Sequence, residues 1–265
     1  MNSIETIILG IVEGLTEFLP ISSTGHLIIA SSLMHIEKDE FTKLFEIAVQ
    51  LGAIISVVVL YWKKFFDFSR LQFYFKLMIG VVPAVILGLL FSKKIDQLLE
   101  SPLTVAITMF IGGIILLFVD DFFKNPKIDT ENQITNTNSF LIGVWQCLAM
   151  IPGTSRSAAS IIGGMQQKLS RRVAAEFSFF LAVPTMLAAT GYKLFKAFKE
   201  NPEMLKNHSN IHALLLGNIV AFVVAIIAIK FFIGFLQKHG FKLFGYYRII
   251  ASLVLFFLIW KGIIQ

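Results

Sequence analysis

Six stretches of this chain are apolar for long enough to cross a lipid bilayer, and nothing else in the sequence restricts its fold so strongly. They run over residues 44–62, 73–91, 103–119, 173–195, 211–230 and 246–264. A span needs about 20 residues, within a range of about 17–25. Backbone facing lipid has no water to bond, so each stretch must be helical. The chain is therefore expected to be an all-α integral membrane protein. Charge content agrees: 15% of its 265 residues are charged, against roughly 25% in a soluble domain. The net charge of +6 then reflects Lys and Arg at span ends rather than nucleic-acid binding. The single cysteine, Cys147, excludes an intrachain disulfide. The opening Met1-Asn2-Ser3-Ile4-Glu5 lacks a basic n-region and an obvious cleavage site, and is read as mature sequence.

Two further segments, 4–35 and 140–165, are apolar but broken. The first carries Glu17-Phe18-Leu19-Pro20-Ile21-Ser22-Ser23-Thr24-Gly25-His26 at its centre, the second Ile151-Pro152-Gly153-Thr154-Ser155-Arg156-Ser157. Pro, Gly, Ser and a charge at the midpoint argue against one continuous span. Each half-segment has the length of a re-entrant helix, and irregular backbone at membrane depth survives only inside protein or beside a polar cavity. The layout then repeats. Residues 1–119 hold one hairpin and three spans, the polar stretch 120–138 is a linker, and residues 139–265 hold a second hairpin and three spans. Gly10-x-x-Glu13 and Pro20-x-Ser22-Ser23 match Gly143-x-x-Gln146 and Pro152-x-x-Ser155, with one residue of difference in spacing. A hairpin followed by three crossings reverses orientation, so the halves form an inverted-topology repeat within a single membrane domain. The face carrying Lys63, Lys64, Arg70, Arg171, Arg172 and Arg248 is the richer in Lys and Arg. It is expected to be cytoplasmic, with both termini on the other side.

The breaks hold the reactive residues. Glu13 and Glu17 are spaced i, i+4, sharing one helix face with Cβ atoms about 5–6 Å apart. Two buried carboxylates repel, so either one is protonated or a divalent cation lies between them. If a helix restarts after Pro20, Ser23 and His26 share a face at i, i+3, and a hydroxyl beside an imidazole is the minimum for base-assisted attack. A serine run opening a helix is also ordinary N-capping. Arg156 needs an anionic partner at this depth. Its fork matches phosphate oxygens, and the free N–H groups of a new helix with nearby hydroxyls make an anion site. An internal pair with Glu13, Glu17 or Glu176 is the plainer alternative. Glu46 and Gln50 line a cavity or merely cap a span. Glu176 is a structural partner four residues after Arg172, and His35, His208, His212 and His239 are surface residues at span ends.

The run Gly10-x-x-Glu13-Gly14-Leu15-Thr16-Glu17-Phe18-Leu19-Pro20-x-Ser22-Ser23-Thr24-Gly25-His26-Leu27 closely resembles the first signature of the undecaprenyl-diphosphate phosphatases, the bacitracin-resistance family. Pro152-Gly153-x-Ser155-Arg156-Ser157 resembles the second. Gln50-Leu51-Gly52-Ala53, Tyr61-Trp62, Gly163-Gly164, Glu176-Phe177-Ser178-Phe179 and Tyr247-Arg248 are further matches, so the resemblance covers nearly the whole chain in order. It implies hydrolysis of undecaprenyl diphosphate to undecaprenyl phosphate and inorganic phosphate in the bacterial cytoplasmic membrane. That recycles the lipid carrier for cell-wall polymers and confers bacitracin resistance. It implies catalysis by Glu17, Ser23, His26 and Arg156, with Glu13 and Glu17 holding Mg²⁺ or Ca²⁺. Ser22, Thr24, Gly153, Ser155, Ser157 and Ser160 are the expected phosphate-binding set. Ser23 is the candidate nucleophile with His26 its base, and direct attack by water stays open. The implied partners are a polyprenyl diphosphate lipid, the membrane and a possible homodimer, with no nucleic acid. The second motif departs from the family where Gly and Thr are usual: here stand Ala158 and Ser160.

Two rival readings compete with this one. Inverted repeats with broken helices are also the architecture of transporters, so a lipid-carrier transporter or flippase is the alternative. Against it stands a Ser, His, Arg and Glu set richer than transport requires. Ser23-Thr24-Gly25-His26 and Ser155-Arg156 are also similar to motifs of the phosphatidic-acid phosphatase type. That type needs a later His with a nearby Asp, and no Asp follows Arg156.

Overall fold

The apolar stretches are helices in the computed structural model, which describes residues 1–99 and 101–264. In chain order the helices are α1 (Ser3–Thr16), α2 (Ser23–Leu33), α3 (Glu40–Ala48), α4 (Gln50–Leu60), α5 (Trp62–Phe65), α6 (Leu71–Leu99), α7 (Pro102–Phe122), α8 (Asn136–Gln146), α9 (Arg156–Gln166), α10 (Arg171–Glu200), α11 (Pro202–Lys206), α12 (His208–His239) and α13 (Lys242–Trp260). Among the described residues no strand forms, only an isolated bridge between Ile128 and Leu169. Six helical segments are long and apolar enough to cross a membrane: Glu40–Leu60, Leu71–Phe91, Pro102–Phe122, Arg171–Glu200, His208–His239 and Lys242–Trp260. Their outward faces carry bare apolar side chains, with Leu89 73% and Trp260 76% exposed. Such a surface is tolerated in lipid and not in water. The protein is a multi-pass membrane protein.

Span ends differ from the sequence expectation by a few residues, for local reasons. The first span begins at Glu40 because Asp39 caps it, accepting from the Thr42 N–H at 3.2 Å. The last stops at Trp260 rather than 264, just ahead of Gly262 at φ 70°, a left-handed conformation that glycine permits.

Helix contacts come in matching sets. α1 lies along α12 and α8 along α6; α4 packs on α12 and α10 on α6; α7 packs on α13. α1 crosses α12 where a Cβ on Gly10 would sit 2.9 Å from the Gly217 carbonyl oxygen, so only glycine allows the approach. The two broken segments each fold as paired helices, α1 on α2 and α8 on α9. Polar pairs close one end of the bundle. Glu131, in the stretch between the halves, accepts from Lys64 at 2.8 Å and Arg70 at 2.6 Å. Glu176 pairs with Arg172 at 3.0 Å, as a structural partner should.

Candidate active site

The two breaks are built alike. α1 ends before Pro20 and α2 restarts at Ser23, with Ser22 as N-cap at φ 72°, ψ 96°. α9 restarts at Arg156, with Ser155 as N-cap at φ 72°, ψ 114°. Left-handed serines are uncommon and strained, and each is offset by its cap. Ser22 Oγ accepts from the Gly25 N–H at 3.5 Å, and Ser155 Oγ from the Ala158 N–H at 3.3 Å. The breaks also touch: Ser157 Oγ donates to the Leu19 carbonyl at 2.7 Å. Ser23 and Arg156 are thus the first residues of two helices whose N-terminal turns lie side by side. Free N–H groups at such turns favour an anion.

Glu17 joins them. Its Oε2 accepts from Ser23 Oγ at 2.7 Å, and its Oε1 accepts from Arg156 Nη2 at 3.0 Å. The pair is buried, with side chains 6% and 12% exposed for Glu17 and Arg156. Arg156 Nη1 donates to the Ser178 carbonyl at 3.1 Å and to Ser178 Oγ at 3.3 Å. Its guanidinium lies 5.5 Å from the Phe18 ring centre, a cation–π support that fixes its plane. Arg156 Nε has no hydrogen-bond partner among the described residues.

His26 is placed otherwise than the i, i+3 spacing suggested. Its Nδ1 lies 2.7 Å from the Ser22 carbonyl and its Nε2 lies 2.8 Å from the Tyr247 hydroxyl, with the two rings parallel. A carbonyl only accepts, so Nδ1 carries the proton, and in the neutral ring Nε2 accepts from Tyr247. The hydroxyl of Ser23 donates to the Glu17 carboxylate and not to the imidazole. Of the expected phosphate set, Thr24 is half-buried near the opening of α2. Gly153 sits in the second break at φ 85°. Ser22, Ser155 and Ser157 act as caps and cross-braces. Ser160 is fully buried, donating to the Arg156 carbonyl at 2.8 Å and touching Ser178 Oγ at 2.6 Å. It braces Arg156 from behind, so the hydroxyl retained there supports the arginine rather than facing phosphate.

Glu13 lies one turn before Glu17, fully buried, and neither carboxylate oxygen has a hydrogen-bond partner among the described residues. Glu17 and Glu46 are near enough to repel it and Arg156 near enough to attract it. Acceptor-only oxygens buried without a donor fit a cation, and the Glu17 oxygens, each accepting one bond, retain lone pairs toward one. No group of three or more His, Cys, Asp or Glu side chains forms a metal site among the described residues. Two carboxylates suit an ion that takes its other ligands from phosphate and water. Glu46 Oε1 is also buried without a partner among those residues. Gln50, the first residue of α4, is half-buried and makes no capping bond. His35, His208, His212 and His239 are exposed, as read from sequence.

Three residues that the sequence offers only as family matches, with no role, stand at the site. Ser178 reads as one polar position in an apolar span, yet it supports Arg156. Tyr247 is the partner of His26. Arg248 was counted among the basic residues of one membrane face and is instead fully buried against the breaks. Its signal is a charge inside α13.

The family model described as bacitracin resistance protein BacA matches residues 6–254. A Flavobacterium psychrophilum relative named undecaprenyl-diphosphatase is 62% identical over 255 residues, 96% of this chain and 95% of its own length. Relatives of the same name from Porphyromonas gingivalis and Campylobacter jejuni are 51% and 44% identical, covering 99% and 100% of this chain and 99% and 97% of their own.

Proposed function

The chain belongs to the bacitracin resistance protein BacA family, and on that premise we propose that it hydrolyses undecaprenyl diphosphate with Glu17, Ser23 and Arg156 as its reacting centre. The products are undecaprenyl phosphate, returned to cell-wall synthesis, and inorganic phosphate. The observation that carries the site is the Glu17 carboxylate, which holds the Ser23 hydroxyl of one break at 2.7 Å and the Arg156 guanidinium of the other at 3.0 Å. A transporter needs no hydroxyl poised on a carboxylate, and the relatives with this sequence are named for the phosphatase reaction.

Ser23 Oγ attacks the terminal phosphorus while its proton passes to Glu17 Oε2. The bond from that phosphorus to the bridging oxygen breaks, and undecaprenyl phosphate leaves with the bridging oxygen. Glu17 gives that proton to the departing undecaprenyl phosphate and is a carboxylate again. Water then attacks the phosphoserine as its proton passes to Glu17, the bond from phosphorus to Ser23 Oγ breaks, inorganic phosphate departs, and Glu17 returns the proton to Ser23 Oγ. Arg156 and the first-turn N–H groups of α2 and α9 hold the transferred group, where positioning and electrostatics supply most of the rate. As Ser23 departs from Glu17, Arg156 keeps that carboxylate aimed at the attacking oxygen. Glu13 and Glu17 would hold a divalent cation, Mg²⁺ or Ca²⁺, which would neutralise diphosphate charge. His26, held between the Ser22 carbonyl and the Tyr247 hydroxyl, orients the Ser22 peptide that precedes the nucleophile.

The membrane setting is part of this reading. The paired helices α1–α2 and α8–α9 are re-entrant hairpins of an inverted repeat, supported by the matching helix contacts and by the equal φ of Ser22 and Ser155. The membrane is the bacterial cytoplasmic one. The test is phosphate release from undecaprenyl diphosphate by purified protein. Wild type releases phosphate and Ser23→Ala does not; equal rates for the two would remove the proposed nucleophile.

A further inference from the structure

We propose that Arg248 is a positioning residue that sets the spacing between Ser23 and Arg156. The inference rests on the reading of those two residues and Glu17 as the reacting centre. Arg248 enters from α13 and is fully buried. Its guanidinium has five N–H groups, and the structure gives it five carbonyl acceptors. Nε donates to Met109 at 3.3 Å; Nη1 to Pro20 at 3.2 Å and Thr154 at 3.0 Å; Nη2 to Thr108 at 3.3 Å and Gly153 at 2.9 Å. No carboxylate pairs with it among the described residues. A buried cation held only by backbone dipoles is costly to keep.

The choice of carbonyls shows what the residue does. Pro20 lies two residues before the N-cap of α2, and Gly153 and Thr154 immediately precede the N-cap of α9. Thr108 and Met109 belong to α7, and the Thr108 hydroxyl donates to the Pro152 carbonyl. One rigid planar group therefore ties both breaks to each other and to a bilayer-length helix. α7 is notched to admit it: a Cβ on Gly112 would lie 2.7 Å from Arg248 Cζ. The guanidinium acts on the peptides just upstream of the nucleophile and the phosphate-reading arginine, not on the substrate. Its loss should let the two helix N-termini drift apart while the lipid still binds. Misplacement by about 1 Å at a distance from the chemistry costs roughly 10²-fold in rate.

The test compares Arg248→Ala, Arg248→Lys and Gly112→Ala with wild type and Ser23→Ala in phosphate release, separating kcat from KM. Arg248→Ala should lose roughly 10²-fold in kcat with little change in KM. Added guanidinium ion should restore kcat in Arg248→Ala, whereas methylammonium should not. Arg248→Lys should stay impaired, because one ammonium cannot reach five carbonyls. Gly112→Ala keeps the arginine but displaces its head, and should lower kcat in the same way; it decides the matter if Arg248→Ala does not survive purification. Wild-type kcat in Arg248→Ala or Gly112→Ala, beside an inactive Ser23→Ala, overturns the positioning role alone. So does a folded Arg248→Ala whose lost kcat guanidinium fails to restore. Full turnover in Ser23→Ala overturns the reacting centre and the positioning role together.

Discussion

Replacing Glu17 by Gln removes the proton acceptor, and one carboxylate of the proposed cation pair, while keeping the packing. The side chains have the same shape, and the glutamine oxygen still accepts from Arg156 Nη2, now 3.0 Å from Glu17 Oε1. The amide nitrogen must then take the place of Oε2, 2.7 Å from Ser23 Oγ. An amide nitrogen donates, so the serine becomes the acceptor and its proton turns away with no base to receive it. Loss of general-base help costs about 10²–10⁴-fold, or about 2.7–5.4 kcal/mol of barrier at 1.36 kcal/mol per tenfold. Stability should suffer less. Removing one charge of a buried pair costs about 3–5 kcal/mol when the other is left bare, but Arg156 keeps the amide oxygen and both Ser178 acceptors. The assay is phosphate release from undecaprenyl diphosphate in detergent, with kcat and KM separated and a melting curve beside them. The expectation is a fall in kcat of that size, KM little changed and a folded protein. Turnover within about twofold of wild type, well below the smallest expected loss, would refute the assignment of Glu17 as base.

Arg156→Lys keeps the charge but cannot reach Glu17 and Ser178 as a fork, so activity should fall by an order of magnitude or more, read as phosphate release; an unchanged rate would reduce Arg156 to a diffuse charge. Glu13→Gln should nearly abolish turnover yet melt no lower than wild type, because it replaces a buried acidic group whose oxygens have no donor; metal titration of wild type and variant checks this, and a variant that keeps both its rate and its chelator sensitivity would dismiss Glu13 as a ligand. Tyr247→Phe removes the hydroxyl 2.8 Å from His26 Nε2 and should lower kcat less than Glu17→Gln does, which side-by-side rates would show.

Much of this architecture is legible because lipid leaves the backbone little choice. The six spans are readable from apolar length, and the two breaks from Pro20, Pro152 and the polar residues that follow them. Glu17, Ser23 and Arg156 stand out because a charge or hydroxyl run at a break in an apolar segment is costly without a purpose. What sequence spacing could not supply was pairing across elements. Ser23 and His26 share a helix face by register, yet Ser23 turns back to Glu17 six residues earlier, across the left-handed turn at Ser22. Ser160 reads as a phosphate ligand because it keeps the hydroxyl of the family's usual Thr, four residues after Arg156. That same spacing carries its hydroxyl onto the Arg156 carbonyl. Arg248 reads as interfacial because charges near a span end usually are; only the packing of α13 on α7 shows that it turns inward.

The central claim, that Glu17 serves Ser23 directly, is tested by a four-corner kinetic cycle of Ser23→Ala and Glu17→Gln at fixed metal and lipid. Residues acting in one proton transfer share a single transition-state benefit, so their losses do not multiply. The account predicts that the double variant is no slower than the slower of the two single variants. A double variant slowed by the full product of the single effects would show that the two side chains act independently, and would contradict it.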